Sequence, residues 1–322
     1  MAKALIFGIS GQDGSYLAEF LVKKGYTIIG TSRDHKNNNF FNLHHLGIFR
    51  DIKIETVKIQ DQMEVEKVLR KWQPDEVYNL AGQSSVSFSF KDQKETKKSI
   101  IDVTLNILNT IRVLNFPIRF FNAASSECFG SIDNPASETT PLNPSSPYAE
   151  AKSIAFQLTQ TYRKEHNLFA SSGILFNHES PLRPQKFVIK KIAVALAKIL
   201  QGHKTTLHLG NLNIVRDWGW APEYIVAMWQ MLQLDKPDDF IIATGESHSL
   251  GDLVASTFNT LDLNWKEFVK IQPGLFRSRD NQTSYANPQK AKKILNWHAN
   301  VTATKVLLRL INSSKKNINQ IY

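Results

Sequence analysis

The chain has 322 residues, 39 of them basic against 29 acidic, for a formal net charge of +10 with a single cysteine. At this length it buries a core without staples and is expected to form one large α/β unit or two domains; lone Cys128 excludes an internal disulfide, no Cys/His cluster has zinc-ligand spacing, and a reducing cytosol is the expected compartment. The apolar run within Met1 to Gly8 is too short for a signal-peptide core and nowhere do 18 apolar residues run uninterrupted, which argues against secretion and membrane spanning.

Lys3 to Ile9 reads as a strand, and Gln12 to Lys24 places Tyr16, Leu17, Phe20 and Leu21 at helical spacing. Between them lies Gly8-x-x-Gly11-x-x-Gly14. Glycines at these positions permit a tight turn, a close backbone approach to a pyrophosphate and close packing of helix on strand, while the helix N-terminus offers free N–H groups. The same pattern suits a plain strand-to-helix corner, but Tyr26 to Ser32 follows as a second strand and completes a β-α-β unit, the context a dinucleotide site needs. That strand ends in Ser32-Arg33-Asp34. An acid there binds a ribose 2′-hydroxyl and an arginine a 2′-phosphate, so the residues leave NAD and NADP both open. Asp61, after the third strand, is a candidate for the adenine edge or a solvated loop acid.

Further strands are expected at Ile52 to Ile59, Glu76 to Leu80, Ile118 to Ala123 and Ala170 to Phe176, with helices at Met63 to Trp72, Lys98 to Asn115 and Tyr148 to His166. This alternation predicts an α/β fold with a doubly wound parallel (Rossmann) sheet. Tyr148 and Lys152 share one helix face, where an ammonium favours the phenolate and equips the tyrosine to take a proton from an alcohol as hydride leaves. Ser125-Ser126-Glu127 stands at the carboxyl end of a strand, where open sheets gather active-site groups, although a polar strand exit reads the same way.

Beyond Phe176 the expected elements are helices at Lys186 to Gln201 and Pro222 to Gln233 and a strand at Phe240 to Thr244; Ser249 to Ile311 reads as short helices and turns. The expected division is a dinucleotide-binding domain of residues 1–172 plus about 214–246, and a smaller α/β substrate lobe of about 173–213 and 247–322. Seven of the ten net charges lie after Asp280, as Lys290, Lys292, Lys293, Lys305, Arg309, Lys315 and Lys316. No nucleic-acid signature accompanies them, so the stretch reads as a solvated basic tail.

The glycine turn, Tyr78-Asn79-Leu80-Ala81-Gly82-Gln83-Ser84, Ser125-Ser126-Glu127, Tyr148-x-x-x-Lys152, Gly173 to Pro181 and Leu209 to Gly219 together resemble the extended short-chain dehydrogenase/reductase family, and within it the GDP-mannose 4,6-dehydratase family. The likeness runs from about Ala4 to Trp297. It implies a redox-neutral conversion of GDP-mannose to GDP-4-keto-6-deoxymannose: C4 is oxidised with Tyr148 as base and Lys152 lowering its pKa, Glu127 removes the C5 proton as the C6 hydroxyl leaves, and hydride returns to C6. Ser125 keeps the first hydroxyl of the family's Thr-Ser-Glu run. The resemblance further places Gln12, Asp13, Leu80, Ala81, Gln83, His178 and Arg183 with Arg33 and the glycines beside NADP, and Ser84, Ser126, Asn177, Lys191, Arg216 and Arg277 beside the nucleotide sugar, with Asp280 as a ribose-binding acid. For Arg216, a salt bridge to Asp217 or another acid is the alternative. It also implies a homodimer or homotetramer built on the helices at Lys98 to Asn115 and Tyr148 to His166.

Four departures stand out: Asp34-His35-Lys36 follow Arg33 where the family shows a second arginine and serines, Ser85 replaces histidine, Arg277-Ser278-Arg279-Asp280 replaces Arg-Pro-x-Glu, and Leu182 replaces the first of two arginines. They cluster around ligands and leave the sugar open. An epimerase or 4-keto reductase of the same fold is the rival enzyme reading, and a silent nucleotide-binding protein the rival from another class.

Overall fold

The computed structural model describes residues 1–276 and 279–319, with side chains through Lys316. Strands β1 (Lys3–Phe7), β2 (Thr27–Ser32), β3 (Ile52–Thr56), β4 (Glu76–Asn79), β5 (Arg119–Ser125) and β6 (Ala170–Leu175) alternate with helices, as the apolar periodicity predicts. After them come β7 (Asn177–Glu179), β8 (Leu207–Leu209), β9 (Val215–Trp220), β10 (Phe240–Ile242), β11 (Ser247–Ser249) and β12 (Val269–Ile271). The main sheet has the order β10-β6-β5-β4-β1-β2-β3, and its strands pair in parallel. Such a sheet is covered on both faces, which explains the unbroken apolar run Ala4-Leu5-Ile6-Phe7, each residue fully buried.

One face packs against the helices Gln12–Lys23 and Ala221–Met231, through Leu17, Leu21, Ile225 and Met228. On the other lie Gln62–Trp72 and Val103–Leu114, through Val65, Leu69, Ile107 and Ile111. The strand order reverses between β1 and β4, and in open α/β sheets a crevice opens at that switch point. The glycine turn after β1 and the Leu80–Ser84 loop after β4 form its walls.

A separate core gathers helices Val188–Ile199, Leu250–Thr260 and Ala303–Asn319, through Ile192, Leu196, Val254, Leu307 and Leu310. Two small sheets accompany it, β11-β9-β7 and β12-β8. Strand β9 lies outside the main sheet and hydrogen-bonds to β7 and β11. The last helix corrects the expectation of short helices and a solvated tail. Val306, Leu307, Leu310 and Ile311 are buried at three- and four-residue spacing, while Lys305 and Arg309 face outward, so the lysines decorate an amphipathic helix. Among the described residues no helix is long and apolar enough to cross a membrane.

Candidate active site

Gly8 has φ +91°, and a Cβ on it would lie 2.6 Å from the Leu80 carbonyl oxygen. A Cβ on Gly14 would lie 2.2 Å from the Gly8 carbonyl oxygen. The two glycines thus let β1, the Leu80 loop and the following helix converge. That helix begins at Gly11 with no side chain capping it, so its first N–H groups stay exposed to an anion. The crevice is a groove of about 910 Å³ lined by Gly8, Gly11, Arg33, Asp34, Leu80, Ala81 and Gln83.

Arg33 is exposed on the groove wall. Asp34 is occupied locally: its carboxylate accepts from the backbone N–H of Lys36 and Asn37, both at 3.1 Å, and from Asn37 Nδ2 at 2.5 Å. Those bonds hold its carboxyl below the usual range. Asp61 caps the helix Gln62–Trp72 by accepting from the Met63 N–H at 2.9 Å, and Ile59 and Gln60 line the groove in its place. Gln83 spends its amide on Thr96 and the Ser85 N–H. Gln12 is buried and joins Asp13, Ser180 and the His178 carbonyl rather than the groove.

A second cavity of about 240 Å³ adjoins the groove and shares with it the Leu80–Ser84 loop and Lys186. Its lining includes Asp13, Ser84, Ser125, Ser126, Glu127, Tyr148, Lys152, Asn177, His178, Arg183 and Arg216. The helix Pro147–Glu165 starts where Ser146 Oγ accepts from the Ala149 N–H at 3.1 Å and Pro147 presets the first turn. This cap sets Tyr148 and Lys152 at the cavity. Lys152 Nζ donates to the Ala123 carbonyl at 2.8 Å and lies 6.0 Å from the Tyr148 ring centre. Burial brings the Lys152 pKa down to about 8.

The expected lowering of the Tyr148 pKa by Lys152 does not follow from this geometry. Burial raises the phenol above its ordinary value, Cys128 and Glu127 add to the rise, and a hydrogen bond with Ser125 opposes it. The ammonium is directed at the Ala123 carbonyl instead. Glu127 Oε2 accepts from Asn281 Nδ2 at 2.9 Å, and Ser125 Oγ accepts from the Glu127 N–H at 3.3 Å. Cys128 is buried behind them, with its thiol pushed up by burial.

His178 stands with Nε2 facing Asp13 and Nδ1 facing the Phe176 carbonyl. Burial works against charge in both partners, but the pairing overcomes it, taking Asp13 down to about 2 and His178 upward. Arg183 lies 3.5 Å from Glu179 and its guanidinium sits 3.6 Å from the Phe187 ring centre.

Arg216 is 4% exposed and donates to Asp280 at 3.1 Å and to the Val215 carbonyl at 2.9 Å. Asp217 faces elsewhere and accepts from the Thr244 and Gly245 N–H groups; burial raises its pKa to about 6. Lys191 is not brought to the cavity. Its stem runs to β8, where Nζ donates to the His208 carbonyl at 2.5 Å. Arg277 lies outside the described residues. Sequence reasoning missed Lys186 on the shared wall and Asn281 beside Glu127; both contacts join distant segments, so no local pattern marks them.

A family model described as GDP-mannose 4,6 dehydratase matches residues 5–310. GDP-mannose 4,6 dehydratase 2 of Arabidopsis thaliana is 41% identical over 319 residues, covering 96% of this chain and 86% of that protein. GDP-mannose 4,6-dehydratase of Vibrio cholerae is 36% identical, covering 98% and 94%. Among solved structures, a dTDP-glucose 4,6-dehydratase of Streptomyces venezuelae with NAD bound superposes at a TM-score of 0.87, with 20% identity and coverage of 99% and 98%; it shares the fold. On its sequence and length of match, the chain belongs to the GDP-mannose 4,6-dehydratase family.

Proposed function

We propose that this chain is a GDP-sugar 4,6-dehydratase that converts GDP-mannose to GDP-4-keto-6-deoxymannose in a cytosolic setting. The observation that carries the reading is the convergence of Glu127, from the end of β5, with Tyr148 and Lys152 on one cavity that opens beside a dinucleotide-shaped groove. A carboxylate there is what an elimination needs beyond alcohol oxidation.

The residues present fit a nicotinamide dinucleotide. Gly8 and Gly14 let strand, Leu80 loop and helix close tightly on the turn, and the uncapped helix start faces the groove. The turn Gly8 to Gly14, the Leu80-Ala81 wall and Lys152 would hold the dinucleotide, with Arg33 favouring NADP and NAD the alternative. When bound, it supplies a hydride acceptor for C4 of the sugar and a hydride donor for C6. Tyr148 Oη takes the proton of the C4 hydroxyl, assisted by the Ser125 hydroxyl that hydrogen-bonds the phenol. Glu127 then removes the C5 proton, which the new C4 ketone acidifies, and hands it to the C6 hydroxyl, which departs as water; the proton that Tyr148 took at C4 balances the one C5 regains as hydride reaches C6. Arg216, held by Asp280, and Asn177 meet the nucleotide sugar.

This reading assigns residues 1–172 and about 214–246 to the dinucleotide-binding domain, with β9 reaching into the small sheet, and residues 173–213 and 247–322 to the sugar lobe. A homodimer or homotetramer on the helices Val103–Leu114 and Pro147–Glu165 is part of it; Val113, 60% exposed, lies on that surface.

The test is incubation of the protein and NADP with GDP-mannose alongside other GDP-, CDP-, UDP- and dTDP-sugars. A 4-keto-6-deoxy product from GDP-mannose, without net NADPH, is expected. Stoichiometric NADPH, or turnover of a different nucleotide sugar alone, would overturn the assignment.

A further inference from the structure

We infer that Asn281 is a positioning residue for Glu127, fixing its carboxylate at the cavity and making the placement of that base depend on the segment that closes the sugar lobe. The inference rests on the dehydratase reading above, in which Glu127 takes the C5 proton.

Asn281 is 4% exposed, and its amide is committed on both sides. Nδ2 donates to Glu127 Oε2 at 2.9 Å, across 154 positions of chain, and Oδ1 accepts from Ser145 Oγ at 2.6 Å. The orientation is dictated by chemistry: an ionised carboxylate only accepts, so the amide nitrogen must face Glu127 and the oxygen is left for the Ser145 hydroxyl. A buried amide is costly where its nitrogen or its oxygen lacks a partner, and here each end has one.

The neighbours of Asn281 are pinned to two different parts of the molecule. Asp280 holds Arg216 of β9 at 3.1 Å, and the Gln282 carbonyl accepts from the Val215 N–H of the same strand at 2.8 Å. The Gln282 N–H donates to Ser131 Oγ at 2.8 Å, in the loop that leaves the Glu127 turn. Three consecutive residues of the sugar lobe therefore tie β9, the base and the loop behind the base together. Anything that moves Asp280, such as a nucleotide sugar engaging Arg216, is transmitted to Glu127 through one rigid amide. The donor also favours the ionised carboxylate, the form a general base needs.

The prediction is specific. In Asn281→Ala, kcat for GDP-mannose falls about ten- to a hundredfold, the range for losing one hydrogen bond to a charged group. The acidic limb of the kcat profile moves to higher pH, because the base loses a donor to its ionised form. Exchange of the C5 hydrogen with deuterated solvent slows in step with kcat, while KM for GDP-mannose and NADP affinity stay within about twofold. Ser145→Ala, which leaves the amide in place but unoriented, gives the same signature at smaller amplitude and covers the case in which Asn281→Ala folds poorly.

Variants that keep the wild-type kcat and pH profile would overturn the role. So would a parallel loss of kcat, KM and NADP affinity with an unmoved pH profile, which marks a general structural defect. A wild-type protein that fails to turn over GDP-mannose refutes the dehydratase reading itself, an outcome distinct from active wild type with unaffected variants.

Discussion

His178 Nε2 lies 3.0 Å from both carboxylate oxygens of Asp13, which joins the first turn of the helix behind the glycine turn to strand β7, 165 residues further on. With Nδ1 facing the Phe176 carbonyl at 2.7 Å, both ring nitrogens meet acceptors, and a ring that donates twice is an imidazolium. It stacks on Tyr224 with 4.7 Å between ring centres. The pair ties the helix behind the glycine turn to β7 at the wall of the second cavity, and its charge sets a pH window for stability.

Asp13 is lowered from 3.8 to about 2, so its contribution is present above 3.8 and lost as pH falls through the folded value. His178 is raised above 6.5, so its contribution is complete below 6.5 and lost as pH rises through the folded value. The clamp is therefore strongest between these limits. Asp13→Asn should cost about 2 kcal/mol near pH 5 to 6 and clearly less near pH 9. Thermal melts of wild type and variant at both pH values check this; a pH-independent difference would show that the pair is not ionised.

The second prediction concerns the groove. Asp34 is saturated by the Asn37 loop and cannot turn to a ribose without breaking three hydrogen bonds, whereas Arg33 is exposed on the wall. NADP should bind more tightly than NAD, and Arg33→Ala should weaken NADP about ten- to a hundredfold while leaving NAD within about twofold. Titration calorimetry with both cofactors decides it. Equal affinities in the wild-type protein would remove Arg33 from the 2′-phosphate.

How much of this was legible in the sequence follows from distance along the chain. The glycine turn, the Tyr148–Lys152 pair and the strand-end position of Glu127 are local patterns, and local periodicity reveals them. The partners of Asp13, Glu127 and Arg216 lie far away in sequence, so spacing could not announce them. Strands β7, β8 and β11 have three residues each, too few to show alternation. The last helix was hidden differently: its lysines and asparagines dilute the apolar stripe that packs on Val188–Ile199.

That stripe gives a third prediction. Leu307 is fully buried in the second core, so Leu307→Ala should destabilise the protein by about 2–5 kcal/mol. Replacing exposed Lys305 by Ala should change stability by less than about 0.5 kcal/mol. A solvated tail would show neither loss. Denaturant unfolding of the two variants separates the cases.

Lys152 sets function against stability. Its ammonium is desolvated and holds a pKa of about 8 against 10.5, so the native state binds fewer protons than the unfolded chain between those values, and this group makes stability rise with pH there. Lys152→Met removes the buried charge. It should raise the melting temperature at pH 7 by a few degrees and erase that rise between pH 8 and 10, while turnover drops by about 10² or more. Calorimetry and a product assay on the same preparation test both halves; a variant that melts lower would mean the bond to the Ala123 carbonyl outweighs desolvation.

The sharpest test falls on Glu127. Gln retains the size of the side chain and one oxygen to accept from Asn281 Nδ2, yet it cannot take a proton. Glu127→Gln should therefore fold and bind NADP as the wild type does, and lose 4-keto-6-deoxy product by about 10²–10⁴. Because Tyr148 and Lys152 are untouched, alcohol oxidation at C4 remains available, and rapid mixing should show NADPH formed on the enzyme that does not return its hydride. Wild-type rates of product formation would require another base for C5, and loss of the NADPH signal together with the product would place Glu127 in the first step instead of the elimination.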